Sequence, residues 1–189
     1  RMPAGVLDKA ISRDGGFWNA FTYLDWTAFF ETMPADKIDL ALNIESDRLL
    51  NSLFDPAEVE SERTVIISER EGNENDPLFR LDEAIQAAAF QNHPYRFEVV
   101  GEMEDLHRIT RDDLYHHYRT NYVPSNAVLA MAGDFDAQDM LARIKERYLE
   151  IPDGKAPPQP VYNAETISVE KRIEVKGPGE TTFLKLAYL

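Results

Sequence analysis

At Gly15-Gly16 the spacing of apolar residues changes, and that change constrains the fold more than any other feature. Before it, Val6, Leu7, Ala10 and Ile11 recur at helical spacing, which predicts a helix over residues 3–14. A glycine pair is the expected stop, because glycine accepts the left-handed backbone just past a helix end. After it, Phe17–Leu24 and Trp26–Met33 are rich in aromatic residues and threonine, with Leu24-Asp25-Trp26 between them, and predict two adjacent strands in a hairpin. A chain that places a helix directly against a hairpin and then returns to helices is an α+β layer fold.

The return to helix is marked by strong start signals. Ile38, Leu40, Ala41, Ile44, Leu49 and Leu50 give an amphipathic helix over 36–52. Asp55-Pro56-Ala57-Glu58 then supplies an N-cap, a proline at the first helical position and a capping-box-like acid, so the next helix runs from there to about residue 73. Asn75-Asp76-Pro77 restarts a helix through Phe90, and Gln91–Gly101 is a loop containing His93-Pro94-Tyr95. Thr110 with Asp113 caps a helix to about Tyr122, and Asp136 caps another to about Leu149. Strands are expected at Ala127–Ala132, Ile167–Val175 and Thr182–Leu189, with a proline-rich loop at 152–160. The whole, 1–189, is expected to be one partial domain: a mixed, largely antiparallel sheet with helices packed on one face.

Glu62 and Glu69 lie seven residues apart on the helix that Asp55 starts. Seven residues are nearly two turns, so both carboxylates point the same way. At roughly 100° per residue, Val59, Val65 and Ile66 fall on that side too. Carboxylates on an apolar stripe call for a cation, a proton or a metal. The alternative is a helix edge where both glutamates reach water.

Composition removes several function classes. The net charge of −14 argues against nucleic acid and anionic membrane surfaces as partners. Cysteine is absent, which removes thiol catalysis, disulfides and cysteine metal sites. No apolar run is long enough to span a membrane. His116 and His117 are adjacent on a helix, so their side chains diverge by about 100° and are poorly placed to chelate one ion. His93 before a proline reads as a loop-fixing residue, Asp25 as a turn residue, and Trp18 and Trp26 as core or strand-pair residues.

Several stretches together resemble one family. Gly15-Gly16, Asn19-Ala20, Thr22, Asp25 and Thr27 match its GGxxNAxTxxDxT segment. Asp47-Arg48, Glu62-Arg63 through Glu69, and His93-Pro94-Tyr95 come next, in the family's order. So do Gly101, Thr110 to Leu114, Tyr122 to Ala127, and Ala132-Gly133-Asp134. The pattern, running from about residue 1 to 150, is that of the insulinase/pitrilysin peptidases (peptidase family M16), which include the mitochondrial processing peptidases.

The resemblance implies a zinc endopeptidase of the inverted zincin type, in which an H-x-x-E-H helix supplies two histidine ligands and a general base. On it, Glu69 matches the third metal ligand, Glu62 a supporting carboxylate, and Asn19 and Ala20 an edge-strand segment that binds substrate backbone. It further implies a peptide or unfolded-protein substrate, a second M16 half that closes on this one, and a periplasmic or other bacterial compartment. This chain departs from the pattern in one respect: it contains no H-x-x-E-H. Its opening, Arg1-Met2-Pro3, resembles the family's segment just downstream of that motif, so the expectation is an N-terminally truncated stretch of a longer protein that cannot bind catalytic zinc alone. A non-catalytic structural or substrate-binding member of the family is the alternative.

Overall fold

The computed structural model describes residues 5–158, 160–162, 169–177 and 180–188. They divide into two compact units, Arg1–Phe54 with Asp112–Pro158 and Asp55–Arg111 with Gln159–Leu189, each built from two separate stretches of chain.

The first unit begins with α1 (Val6–Arg13), which ends where the glycine pair requires. Gly15 takes φ 76°, and Gly16 lets the chain fold back: a Cβ there would meet the Met33 side chain and lie 2.8 Å from Ile11 Cγ2. The hairpin comes next as β1 (Phe17–Thr22) and β2 (Thr27–Thr32), antiparallel, with Trp18 opposite Glu31 and Asn19 opposite Phe30. Tyr23 N–H donates to Trp26 C=O at 2.8 Å, closing a two-residue turn on Leu24 and Asp25. Because side chains alternate, Phe17, Asn19, Phe21 and Phe30 share the exposed face, and Trp18, Ala20, Phe29 and Glu31 the inner one. Trp18 and Phe29 lie against Arg48 of α2 (Ile38–Asn51).

α2 packs on α7 (Ala137–Tyr148), where Arg147 donates to Asn43 at 2.7 Å and pairs with Asp39 at 3.0 Å. The apolar core is Ile11, Ala41, Leu42, Ile44, Tyr118, Met140 and Ile151, all nearly closed to solvent. Tyr118, on α6 (Arg111–Asn121), places its hydroxyl at the end of α2. It accepts from Ser52 N–H at 3.2 Å and is within donating distance of the Leu49 and Arg48 carbonyls, at 2.8 and 3.0 Å. These are carbonyls that a helix C-terminus otherwise leaves to water.

The second unit is helical: α3 (Pro56–Asn73), α4 (Pro77–Ala89) and α5 (Met103–Arg108). Asp55 caps α3 by accepting from Ala57 and Glu58 N–H, and Asp76 caps α4 by accepting from Leu78 N–H. α5 lies in a stretch where the sequence pattern predicts no helix; it spans six residues, too few for a clear period.

The α+β class and the antiparallel sense of the sheet hold. The extent of the sheet is smaller than expected: two strands among the described residues. Ala127–Ala132 is irregular, with Val128 96% exposed, and the described parts of the other two expected strands, 169–175 and 182–188, are irregular as well. Residues 167, 168 and 189 of those expected strands, and 3 and 4 of the first expected helix, lie outside the described residues. Apolar, β-branched sequence supplies strand propensity only; a ladder also needs a neighbouring edge, and none pairs with these segments among the described residues.

Candidate functional site

α3 carries both glutamates, and both are exposed. The apolar stripe beneath them is partial: Val59 is buried, Ile66 half-buried, and Val65 is 55% exposed. Neither Glu62 nor Glu69 makes an ion pair or hydrogen bond among the described residues, although α3 bears two arginines beside them.

Those arginines lie about a quarter-turn round the helix from the glutamates, on the far side of Val59 and Ile66. The sequence Val59, Arg63, Ile66, Arg70 steps by four, three and four residues, so the inner face of α3 alternates apolar and guanidinium groups. Arg63 donates to the Leu106 carbonyl and, at 2.5 Å, to the Ile109 carbonyl, and pairs with Glu60 at 3.0 Å. The hydrogen bond from Arg63 holds the Glu60 carboxyl below its usual range. Arg70 is 5% exposed. It pairs with Glu83 of α4 at 2.6 Å and with Glu74 at 3.0 Å, donates to Gly101 C=O at 3.3 Å, and lies over the Phe79 ring at 5.1 Å. Burial opposes its charge, but Glu83 and Glu74 outweigh that and hold it above the usual arginine value. The two arginines fix the rotation of α3 against α4 and α5, and so leave Glu62 and Glu69 turned outward. The signal for them was present in the sequence as arginines at inward helical positions.

In the first unit, Asn19 and Ala20 sit on β1. The Tyr23–Trp26 bond sets the alternation along the hairpin, so residues 18, 20 and 22 turn their N–H and C=O groups away from β2. The Asn19 side-chain oxygen accepts from the outward Ala20 N–H at 2.8 Å. Trp18 donates from its indole nitrogen to Asp8 at 2.8 Å, and Trp26 stacks edge-on against Phe21 on the exposed face.

Among the described residues no three histidine, aspartate or glutamate side chains converge as a metal-binding group. His93 fixes its loop, with Nδ1 accepting from Tyr95 N–H at 3.2 Å. Catalytic zinc takes three protein ligands, and two outward carboxylates on one helix do not fit that requirement by themselves. No helix among the described residues is long and apolar enough to cross a membrane.

Comparison with known proteins places these features. Residues 1–102 match the family described as insulinase (peptidase family M16), and residues 108–189 the one described as peptidase M16 inactive domain. An uncharacterized zinc protease of Mycobacterium leprae is 32% identical over 142 residues, 75% of this chain and 32% of that protein. The zinc protease PqqE of Helicobacter pylori is 29% identical over 162 residues, 84% of this chain and 36% of that protein. A crystal structure of a protease from Helicobacter pylori superposes with a TM-score of 0.81 at 28% identity, covering 85% of this chain and 40% of that one. The first half of the periplasmic protease PqqL from Escherichia coli gives 0.69 at 26% identity, covering 80% and 32%. The chain thus spans about a third of the length of the curated relatives it matches.

Proposed function

The chain belongs to the insulinase family, peptidase family M16, and from that premise we propose that the full-length protein is a zinc-dependent endopeptidase that hydrolyses peptide bonds with zinc-activated water. Glu69 is assigned as the carboxylate that reaches the metal and Glu62 as its supporting carboxylate one heptad earlier. Asn19 and Ala20 are assigned to substrate backbone. The observation that carries the reading is the pair itself: two exposed carboxylates seven residues apart, without a partner among the described residues, on a helix whose two neighbouring arginines are fully engaged elsewhere. Charges left unpaired beside arginines that are engaged elsewhere suit a ligand brought from outside the described residues.

The described residues do not complete a metal site, so the remaining ligands and the general base belong elsewhere in the full-length protein, and this chain alone is inactive and holds no zinc. A second M16 half that closes over the substrate, in the same protein or a partner subunit, goes with the reading; likenesses to longer M16 proteases support it. So does a periplasmic or other bacterial setting, on the likeness to a periplasmic protease. The substrate is a peptide or unfolded protein.

The test is Glu69→Gln in the full-length protein, with zinc measured by metal analysis. Loss of zinc retention is expected, and zinc content equal to wild type would sink the ligand assignment. One observation favours a second reading, a non-catalytic structural or substrate-binding member of the family: residues 108–189 match the inactive domain. Absence of H-x-x-E-H from the full-length sequence would decide for it.

A further inference from the structure

Behind the strand that carries Asn19, two more carboxylates meet, and this pair is buried. Glu31 of β2 and Glu45 of α2 have side chains only 8% and 19% exposed. The Oε1 atom of each is closed to solvent and receives no hydrogen bond among the described residues. One cation lies near: Arg48 Nη2 is 3.2 Å from Glu45 Oε1 and 4.0 Å from Glu31 Oε1, while its guanidinium is held over the Phe29 ring at 4.6 Å and the Trp18 ring at 5.5 Å.

Two ionised carboxylates contain acceptors only, and one arginine beside them balances one charge. A proton on either carboxyl converts the arrangement: that group becomes a donor, and a single negative charge is left for Arg48. Among the described residues, the other titratable and charged groups that act on it are Tyr148 and Arg147 of α7. Arg147 is already engaged by Asp39 and Asn43. The Tyr148 phenol is pushed up to about 12 by burial and then by the charges of Glu45 and Glu31, so it stays neutral.

We propose that Glu31 and Glu45 share one proton at neutral pH and that the hold of the β1–β2 hairpin on α2 weakens steadily as pH rises, to its minimum in mild alkali where that proton is gone. The device is independent of the peptidase reading: it requires only the buried pair and the hairpin that stands on it. Burial, then the hydrogen bond and charge of Glu45, against the opposing Arg48, push the Glu31 carboxyl from 4.5 up to about 8. The folded chain therefore holds a proton that the unfolded chain releases. That stabilisation is complete below the unfolded value of 4.5 and is lost as pH rises through about 8. For one proton, each pH unit between those values lowers the folding equilibrium constant about tenfold.

The test is hydrogen exchange of the Asn19 and Phe30 amides, which face each other across the hairpin. It is measured from mildly acidic to mildly alkaline pH, across the window between 4.5 and about 8, in the chain and in Glu31→Gln, with intrinsic exchange rates divided out. In the wild type, opening of the hairpin should increase by about tenfold per pH unit until about 8 and level off above it. In E31Q, whose amide donates to Glu45 at every pH, that slope should vanish. Equal slopes in the two proteins would overturn the proposal. Should E31Q fail to fold, Glu45→Gln carries the same test with donor and acceptor exchanged. Glu98, raised above its ordinary range by burial and by Glu83 and Asp82, titrates equally in all of these proteins and cancels from the comparison.

Discussion

Replacing Arg70 with methionine removes the most buried charge of the second unit while keeping its aliphatic stem. The loss can be assembled from its contacts. Breaking a buried ion pair from one side costs on the order of 3–5 kcal/mol, because the partner is left charged and unpaired. Here the partners are Glu83 and Glu74, whose side chains are 25% and 34% exposed and regain some hydration, which places the cost near the lower end. The stacking of the guanidinium on Phe79 adds about 1 kcal/mol. The orphaned Gly101 carbonyl turns to water. About 3–4 kcal/mol is expected, against a whole-domain stability on the order of 5–15 kcal/mol.

Urea unfolding of the chain, monitored by far-UV circular dichroism, measures it. The second substitution Glu83→Gln, made on top of Arg70→Met, should recover about 1–2 kcal/mol, since it removes the stranded charge. A loss below about 1 kcal/mol for the single variant, or no recovery in the double, would refute the account of Arg70 as the charged keystone between α3 and α4.

Two further outcomes test local structure. Tyr118→Phe deletes the hydroxyl that joins Ser52 N–H to the last carbonyls of α2, and should cost about 1–2 kcal/mol in thermal unfolding with little change in helix content. Asp55→Ala removes the cap on Ala57 and Glu58 N–H and should cost about 1 kcal/mol, with exchange rising first at the start of α3.

Local chemistry was the readable part of this fold. Asp55-Pro56 fixed the start of α3, Asp76-Pro77 that of α4 and Asp136 that of α7, because an N-cap needs only its own next three residues. Gly15-Gly16 and the aromatic runs after it gave the hairpin to within two residues, since its partner strands are adjacent in sequence. The strands expected near residues 127–132, 167–175 and 182–189 depended on distant edges, which no local pattern contains. At the candidate site, the spacing of Glu62 and Glu69 was legible, and their exposure was not, because the inward positions went to Arg63 and Arg70. An arginine on an inner face looks like a surface residue until the carbonyls of residues 101–109 and the Glu83 carboxylate are known to lie opposite. The Glu31–Glu45 pair was invisible for the same reason: each residue alone reads as an ordinary surface acid.

The hydrogen bond from Ala20 N–H to its own neighbour Asn19 has a bearing on what can attach to this chain. Among the described residues no strand pairs with the outer side of β1, and its middle donor is already answered from within. An arriving strand must trade that intramolecular acceptor for its own, an exchange that by itself yields close to nothing. Attachment then rests on what a long extended segment adds at Trp18 and Thr22 on either side, together with contacts to Phe17 and Phe21. Were an extended segment to add there, short or poorly aligned ones would find no net advantage, so one amide side chain would make the edge selective for length and register and would discourage the chain from stacking on copies of itself.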